Sequence, residues 1–207
     1  MKRTLLSLLI ATTAATPMLA NAASSAQLKV TGSIAPASCS IAMPGGATID
    51  LGKIASDTLE KDDVTLLEPK SNKLQVSCDA PTLFAIKTTD ERAGTNSFLS
   101  NDSYGLGTVG SIKIGYYIIQ LTQAVADGKT VPVLRQSRAG STSYEKNPGA
   151  RLDRLMAFGA GNGLIPTAYK DLAVNIKLLP RIAQASTLPL NKEIKLDGLV
   201  TLELVYL

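Results

Sequence analysis

Apolar and polar side chains alternate cleanly in four runs of this chain. Leu28, Val30, Gly32 and Ile34 alternate with Lys29, Thr31 and Ser33, and Leu74, Val76 and Cys78 alternate with Lys73, Gln75 and Ser77. The same period recurs in Leu172, Val174, Ile176 and Leu178, and again in Val200, Leu202, Leu204 and Tyr206. Side chains on a strand point to opposite faces in turn, so each run predicts a strand buried on one face and wet on the other. Four such strands predict antiparallel pairing, because parallel sheets are covered on both faces and read as continuous apolar runs.

Less regular apolar stretches extend the pattern. Ala47 to Ile54 and Thr82 to Thr88 read as strands, and Ile112 to Leu121 has too few polar residues for a surface strand and reads as buried on both faces. Leu152 to Phe158 is read as a short strand. Arg135 to Gly149, polar, rich in Ser and Gly and mixed in charge, reads as a long exposed loop. Turn residues fall between the runs, at Pro44-Gly45-Gly46, Asp79-Ala80-Pro81, Asp127-Gly128, Pro148-Gly149 and Gly161-Asn162-Gly163. Short strands punctuated in this way predict an all-β antiparallel sandwich in one domain.

The first residues follow a different logic. Lys2 and Arg3, an apolar stretch from Leu5 to Ala11, and small residues at Ala20 and Ala22 form the three parts of a secretory signal peptide. Residues 1–22 are expected to be cleaved, leaving residues 23–207 as an exported domain. The apolar stretch is too short for a transmembrane helix, which needs ~20 residues, and no transmembrane segment is expected elsewhere. Loss of Lys2 and Arg3 brings the formal net charge of +4 down to +2. A near-neutral chain without a basic stripe gives no expectation of nucleic-acid binding. Export also bears on the two cysteines: in an oxidising compartment Cys39 and Cys78 are expected to oxidise to each other. Closing that loop is worth on the order of 4 kcal/mol as an upper figure.

Composition removes most catalytic designs. The chain contains no His, which excludes Ser-His-Asp triads, Cys-His dyads and histidine metal sites. Asp62, Asp63, Asp90 and Glu91 lack the spacing of a calcium loop, and Arg92 supplies a counterion beside them, so they read as solvated turn residues. Gly105-Leu106-Gly107-Thr108-Val109-Gly110 matches a dinucleotide fingerprint only in its letters, since it lies between strands of an exported protein. No catalytic residue, metal or cofactor is expected, and the chain is not read as an enzyme.

Two features point to a family. One is the run Leu28-Lys29-Val30-Thr31-Gly32 leading to Cys39, with Cys78 closing the run Leu74 to Cys78. The other is a late strand at Val174 to Leu178 followed by an amphipathic strand with Tyr206 next to the last residue. In order and spacing these resemble subunits of chaperone–usher fimbriae, and more narrowly the enterobacterial fimbrial-like exported proteins of unassigned function. The resemblance implies an immunoglobulin-like, pilin-type β-sandwich with a Cys39–Cys78 disulfide and without its final strand. It implies a structural or adhesion subunit of the periplasm or cell surface, whose partners are a periplasmic chaperone, an outer-membrane usher and other subunits or itself. Val200, Leu202, Leu204 and Tyr206 would form the strand presented to the chaperone, the recognition mode being β-strand addition.

Leu28, Val30, Gly32 and Ile34 carry either of two roles. As the domain's own first strand they leave only Ala23 to Ala26 ahead of them, which at ~3.3 Å per residue is too short to fill a neighbour's groove. As a donor strand they would themselves fill it. The alternative function is a self-complete β-sandwich that binds a ligand, such as a glycan, through loops including Arg135 to Gly149. Against it stands the scarcity of aromatic residues, six Tyr, three Phe and no Trp.

Overall fold

A computed structural model describes residues 27–31 and 38–207. The chain divides into two compact units, Met1–Ala35 and Pro36–Leu207. In the first, residues 27–31 form no strand, and Leu28 and Val30 are exposed. The expected strand from Leu28 to Ile34 is therefore not formed in its described half; Gly32 and Ile34 lie outside the described residues, as do residues 1–22.

The second unit is built from short and long strands in chain order: β1 Cys39–Ala42, β2 Thr65–Leu66, β3 Lys70–Thr82, β4 Phe84–Asp90, β5 Tyr104–Gly105, β6 Thr108–Val109, β7 Ile112–Lys113 and β8 Gly115–Ala126. There follow β9 Lys129–Thr130, β10 Val133–Gln136, β11 Tyr144–Lys146, β12 Met156–Phe158, β13 Tyr169–Ile182 and β14 Val200–Tyr206. All strand pairs are antiparallel. The larger sheet runs β1-β3-β13-β8-β5 with β2 beside β13 and β9 beside β8, and the smaller runs β11-β10-β12-β4-β14.

In an immunoglobulin sandwich of the constant type, strands lettered in chain order stand A-B-E-D in one sheet and C-F-G in the other. Here β1-β3-β13-β8 occupy A-B-E-D, and β4-β14 occupy C-F. The position of G, alongside β14, holds no strand among the described residues. The fold is thus an immunoglobulin-like sandwich with its seventh position open.

Between the sheets lies one core. Leu74, Val76 and Cys78 of β3, Leu172, Val174 and Ile176 of β13, and Tyr117, Ile119 and Leu121 of β8 face Phe84 and Ile86 of β4 and Met156 and Phe158 of β12. The alternation read in β3 and β13 is the inward face of the larger sheet. In β8 the phase changes part-way: Ala173 and Asn175 of β13 stand opposite Val125 and Thr122, so β8 carries one extra residue. That bulge centres on Gln123, whose φ of 52° is in the left-handed region, and Asn175 Nδ2 donates to its side-chain oxygen at 2.6 Å. Residues 117, 119 and 121 face inward before it, and 124 and 126 after it, which is the usual effect of a bulge on side-chain direction.

Pro180 explains where β3 stops. Its C=O accepts from Leu67 N–H on the β2 side of β13, at 3.1 Å, and its missing N–H points the same way. The ladder with β3 ends at Leu178 opposite Lys70, and pairing resumes with β2 at Arg181 opposite Leu66.

Two expectations are corrected here. Residues 47–54 form no strand: Ala47 lies in a bend, Gly52 has a φ of 74°, and no described strand pairs with the stretch. Residues 135–149 are not a single exposed loop, because β10 and β11 pair as a hairpin whose tip alone is free, and Tyr144 is buried with Leu134, Ala85 and Ala157 on the outer face of the smaller sheet. The mixed charges are internally matched, with Arg135 Nη2 bound to Glu145 at 2.6 Å. Of the expected strand from Leu152 to Phe158, Met156–Phe158 is realised as β12.

Tyr104 and Tyr117 stack in the core with ring centroids 5.4 Å apart. Burial pushes the Tyr104 hydroxyl up from 10.0 to about 12, against the opposing hydrogen bond with Thr88, and burial pushes Tyr117 up as well. Below pH 10 both are neutral whether the chain is folded or unfolded. Between pH 10 and 12 only the unfolded chain ionises, so the folded state loses on the order of 2 to 3 kcal/mol per residue. Burial also pushes Tyr144 and Tyr169 up, so ultraviolet titration should show Tyr104 and Tyr117 as the latest of a late-ionising set, ionising together with unfolding; a single smooth titration of all six would refute their burial.

Candidate functional site

Among the described residues, β14 is hydrogen-bonded along one edge only. Glu91 N–H donates to Leu199 C=O at 3.0 Å, and Leu207 N–H donates to Leu83 C=O at 3.1 Å, on either side of the ladder that pairs Val200 with Asp90 and Tyr206 with Phe84. Hydrogen-bonded and non-hydrogen-bonded pairs alternate in an antiparallel ladder. Odd-numbered residues from 199 to 207 therefore bond to β4, while the N–H and C=O groups of Val200, Leu202, Leu204 and Tyr206 point to the open edge.

The same alternate residues carry the inward apolar side chains. Val200, Leu202 and Leu204 are half-buried against the core, and Thr201 and Glu203 face outward, where Thr201 Oγ1 donates to Glu91 at 2.6 Å and Glu203 pairs with Lys87 at 3.5 Å. Beside them a groove of about 1330 Å³ opens between the sheets. Ile176, Leu178 and Ile182 of β13, with Leu106, Ile114 and Tyr117, form its apolar base. Ile49, Leu51 and Ile54, on the unpaired stretch that the sequence suggests as a strand, also line it.

A third wall was missed by sequence reading. Ile194 and Leu196 line the groove from the segment that leads into β14, and they continue its period of two backwards through Gly198. The alternation of Ile194, Leu196 and Gly198 with Lys195 and Asp197 is the signal that could have found it. This segment is held in place by Asp197. Its backbone N–H donates to Leu106 C=O at 3.0 Å, and its carboxylate takes two hydrogen bonds from Arg92 at 2.8 and 2.9 Å. The Arg92 hydrogen bonds hold the Asp197 carboxyl below its ordinary range.

The far end of β14 lies by the disulfide. Cys39 and Cys78 are bonded and stand directly opposite in the β1–β3 ladder. The Tyr206 hydroxyl accepts from Cys39 N–H at 3.1 Å, so the tyrosine spans from the smaller sheet to the start of β1. Its ring is half-exposed. Tyr206 therefore has a structural partner as well as a place on the open edge.

The carboxylates noted in the sequence are spread out. Asp90 is buried and accepts from Gly105 N–H and Arg92 N–H, both at 2.9 Å, while Asp62 and Asp63 are exposed. Gly105 is in β5, where a side chain would strike Thr95 and the Arg92 carbonyl, and Gly107 and Gly110 adopt positive φ around the β6–β7 hairpin. Among the described residues, no helix is long and apolar enough to cross a membrane.

A family model described as "Protein of unknown function (DUF1120)" matches residues 28–134, more than half of the chain. The chain belongs to the DUF1120 family. The matched stretch takes in the alternating run from Leu28, both cysteines and every strand from β1 to β9. The DUF1120 chain is also similar to Protein GltF of Escherichia coli (strain K12), at 30% identity over 82 residues, which is 38% of this chain and 32% of GltF. It thus spans about a third of the length of that relative. The disulfide marks an extracytoplasmic protein, since such bonds are rare where thiols are kept reduced.

Replacing both cysteines by Ala should remove up to about 4 kcal/mol of stability. Tyr206→Phe, which deletes one exposed acceptor, should cost only about 1 kcal/mol. Denaturant unfolding of the two variants measures both; a larger loss in Tyr206→Phe than in the double cysteine variant would overturn this ordering.

Proposed function

We propose that this protein is a fimbrial-like structural or adhesion subunit that receives a β-strand from a partner, with assembly through a periplasmic chaperone and an outer-membrane usher. The observation that carries this reading is the open edge of β14. There, among the described residues, the backbone groups of Val200, Leu202, Leu204 and Tyr206 that do not bond to β4 lie in the position of a missing seventh strand, and an apolar groove opens beside Val200 and Leu202. Strand addition uses such an edge directly: backbone hydrogen bonds supply affinity and alternate side chains fill the groove. An uncovered edge of this kind is an aggregation hazard, which gives a chaperone its physical purpose. No catalytic role is assigned to any residue.

The donor role of Leu28, Val30, Gly32 and Ile34 is part of the same proposal. Their alternation matches that of β14 in length and period, and the exposure of Leu28 and Val30 supports a segment that serves another molecule. The second reading, a self-complete binding module, requires the groove to be stable without any added strand.

The test is refolding of the chain from Ala23, alone and with a peptide of sequence Gln27 to Ala35. The proposal expects slow refolding, low stability or self-association, relieved by the peptide but not by a version with Asp at positions 28 and 30. Leu202→Asp, which places a carboxylate in the groove, should abolish the relief. A monomer that unfolds cooperatively at about 5 to 15 kcal/mol and ignores the peptide would establish the self-complete module instead.

A further inference from the structure

The outer face of the larger sheet carries a second feature that strand exchange does not use. Leu66, Arg181 and Tyr116 stand in one row across β2, β13 and β8, so their side chains share that face. The Arg181 guanidinium lies 5.6 Å from the centre of the Tyr116 ring and donates to its hydroxyl at 3.2 Å. Phe98 stacks on Tyr116 with centroids 5.5 Å apart and an interplanar angle of 27°, and remains exposed, as do Leu99 and Leu66.

Arg181 differs from the other half-buried arginines among the described residues. Arg92, Arg135, Arg151 and Arg154 each face a carboxylate within 3.4 Å, and Arg181 faces none. A guanidinium partly withdrawn from water and matched only by a ring and a phenol keeps most of its donor fork unused. That fork fits a carboxylate with two parallel hydrogen bonds. The exposed Phe98 ring offers a flat apolar surface beside it. β2 and β5 cover the β13 and β8 edges at this level, so on these two strands recognition falls to the ring and the cation.

We infer that Arg181, with Tyr116 and Phe98, forms a binding site for a carboxylated sugar, a uronate or sialate unit of a glycan. The carboxylate takes the Arg181 fork, and the C–H face of the pyranose rests on Phe98. The site does not depend on strand exchange, and either reading can fail without the other.

Ligand-detected NMR titration of the chain from Ala23 tests it with two matched pairs of probes, sialyllactose against lactose and glucuronate against glucose. The acidic member of at least one pair should bind and its neutral counterpart should bind about tenfold more weakly or not at all. Arg181→Gln should erase the difference, Arg181→Lys should restore it only in part because the planar fork is lost, and Phe98→Ala should weaken binding of the acidic sugar. Circular dichroism and the unfolding midpoint of each variant separate lost binding from lost folding. If the acidic sugars bind no better than the neutral ones, or if Arg181→Gln leaves their binding unchanged, the site is not there. An acidic peptide that binds through Arg181 where no sugar does would equally overturn the assignment.

Discussion

The coincidence of two alternations on β14 is the constraint on which the rest of this structure turns. Residues 200, 202, 204 and 206 present unused backbone donors and acceptors at the sheet edge, and 200, 202 and 204 also send apolar side chains towards the core. Were the two out of phase by one residue, the free edge would sit over polar side chains and offer an added strand nothing to bury. A one-residue slip reverses every side chain on a strand, so the register of β14 against β4 is what turns its apolar residues inward. That register is supported on its outer face by Thr201 with Glu91 and by Glu203 with Lys87. The Tyr206 hydroxyl on Cys39 N–H anchors its last turn of the ladder to β1.

An open groove needs walls that stand without the missing strand. Its base comes from β13 and β8, long strands joined by a ladder from Leu172 to Ile182. The disulfide fixes β1 to β3 beside them. The remaining walls, residues 47–55 and 189–199, have no ladder of their own. They stay in place through isolated contacts such as the two hydrogen bonds from Arg92 to Asp197 and the Asp197 N–H to Leu106. The rigid parts of the site are therefore those that define its base and register.

How much of this was legible in the sequence follows from what alternation reports. A half-buried antiparallel strand writes its inward face directly into the residue order, and β3, β13 and β14 were read correctly from Leu74, Leu172 and Val200 onward. Alternation does not say whether a partner exists. Residues 47–54 have the apolar spacing of a strand because Ile49 and Leu51 face the groove, yet nothing pairs with them. Composition misleads in the opposite sense at residues 135–149. There Ser, Gly and alternating charges suggest solvent, while Arg135 and Glu145 satisfy each other and Tyr144 is buried by the hairpin. The bulge at Gln123 breaks the period inside one strand, which no reading by simple alternation can anticipate. Of the groove, the β14 edge was legible, whereas its base and its third wall depend on long-range packing. The Arg181 platform was invisible for the same reason: Leu66, Phe98, Tyr116 and Arg181 are distant in the chain and meet only through the β2-β13-β8 order.

β13 joins the two surfaces and also keeps them apart. Its even-numbered residues, Ile176, Leu178 and Ile182, face the groove, and its odd-numbered Arg181 faces outward onto Tyr116. Side chains of one strand alternate strictly between faces, so filling the groove presses on one set and leaves the other where it stands. Pro180 sits between Leu179 and Arg181 with its missing N–H directed towards β2, which leaves the β13–β8 ladder whole at the point where both surfaces depend on it. A subunit completed by a donated strand would therefore present the same outer face as an empty one. The groove and the outer face are separated by the sheet between them, through the geometry of the strand itself.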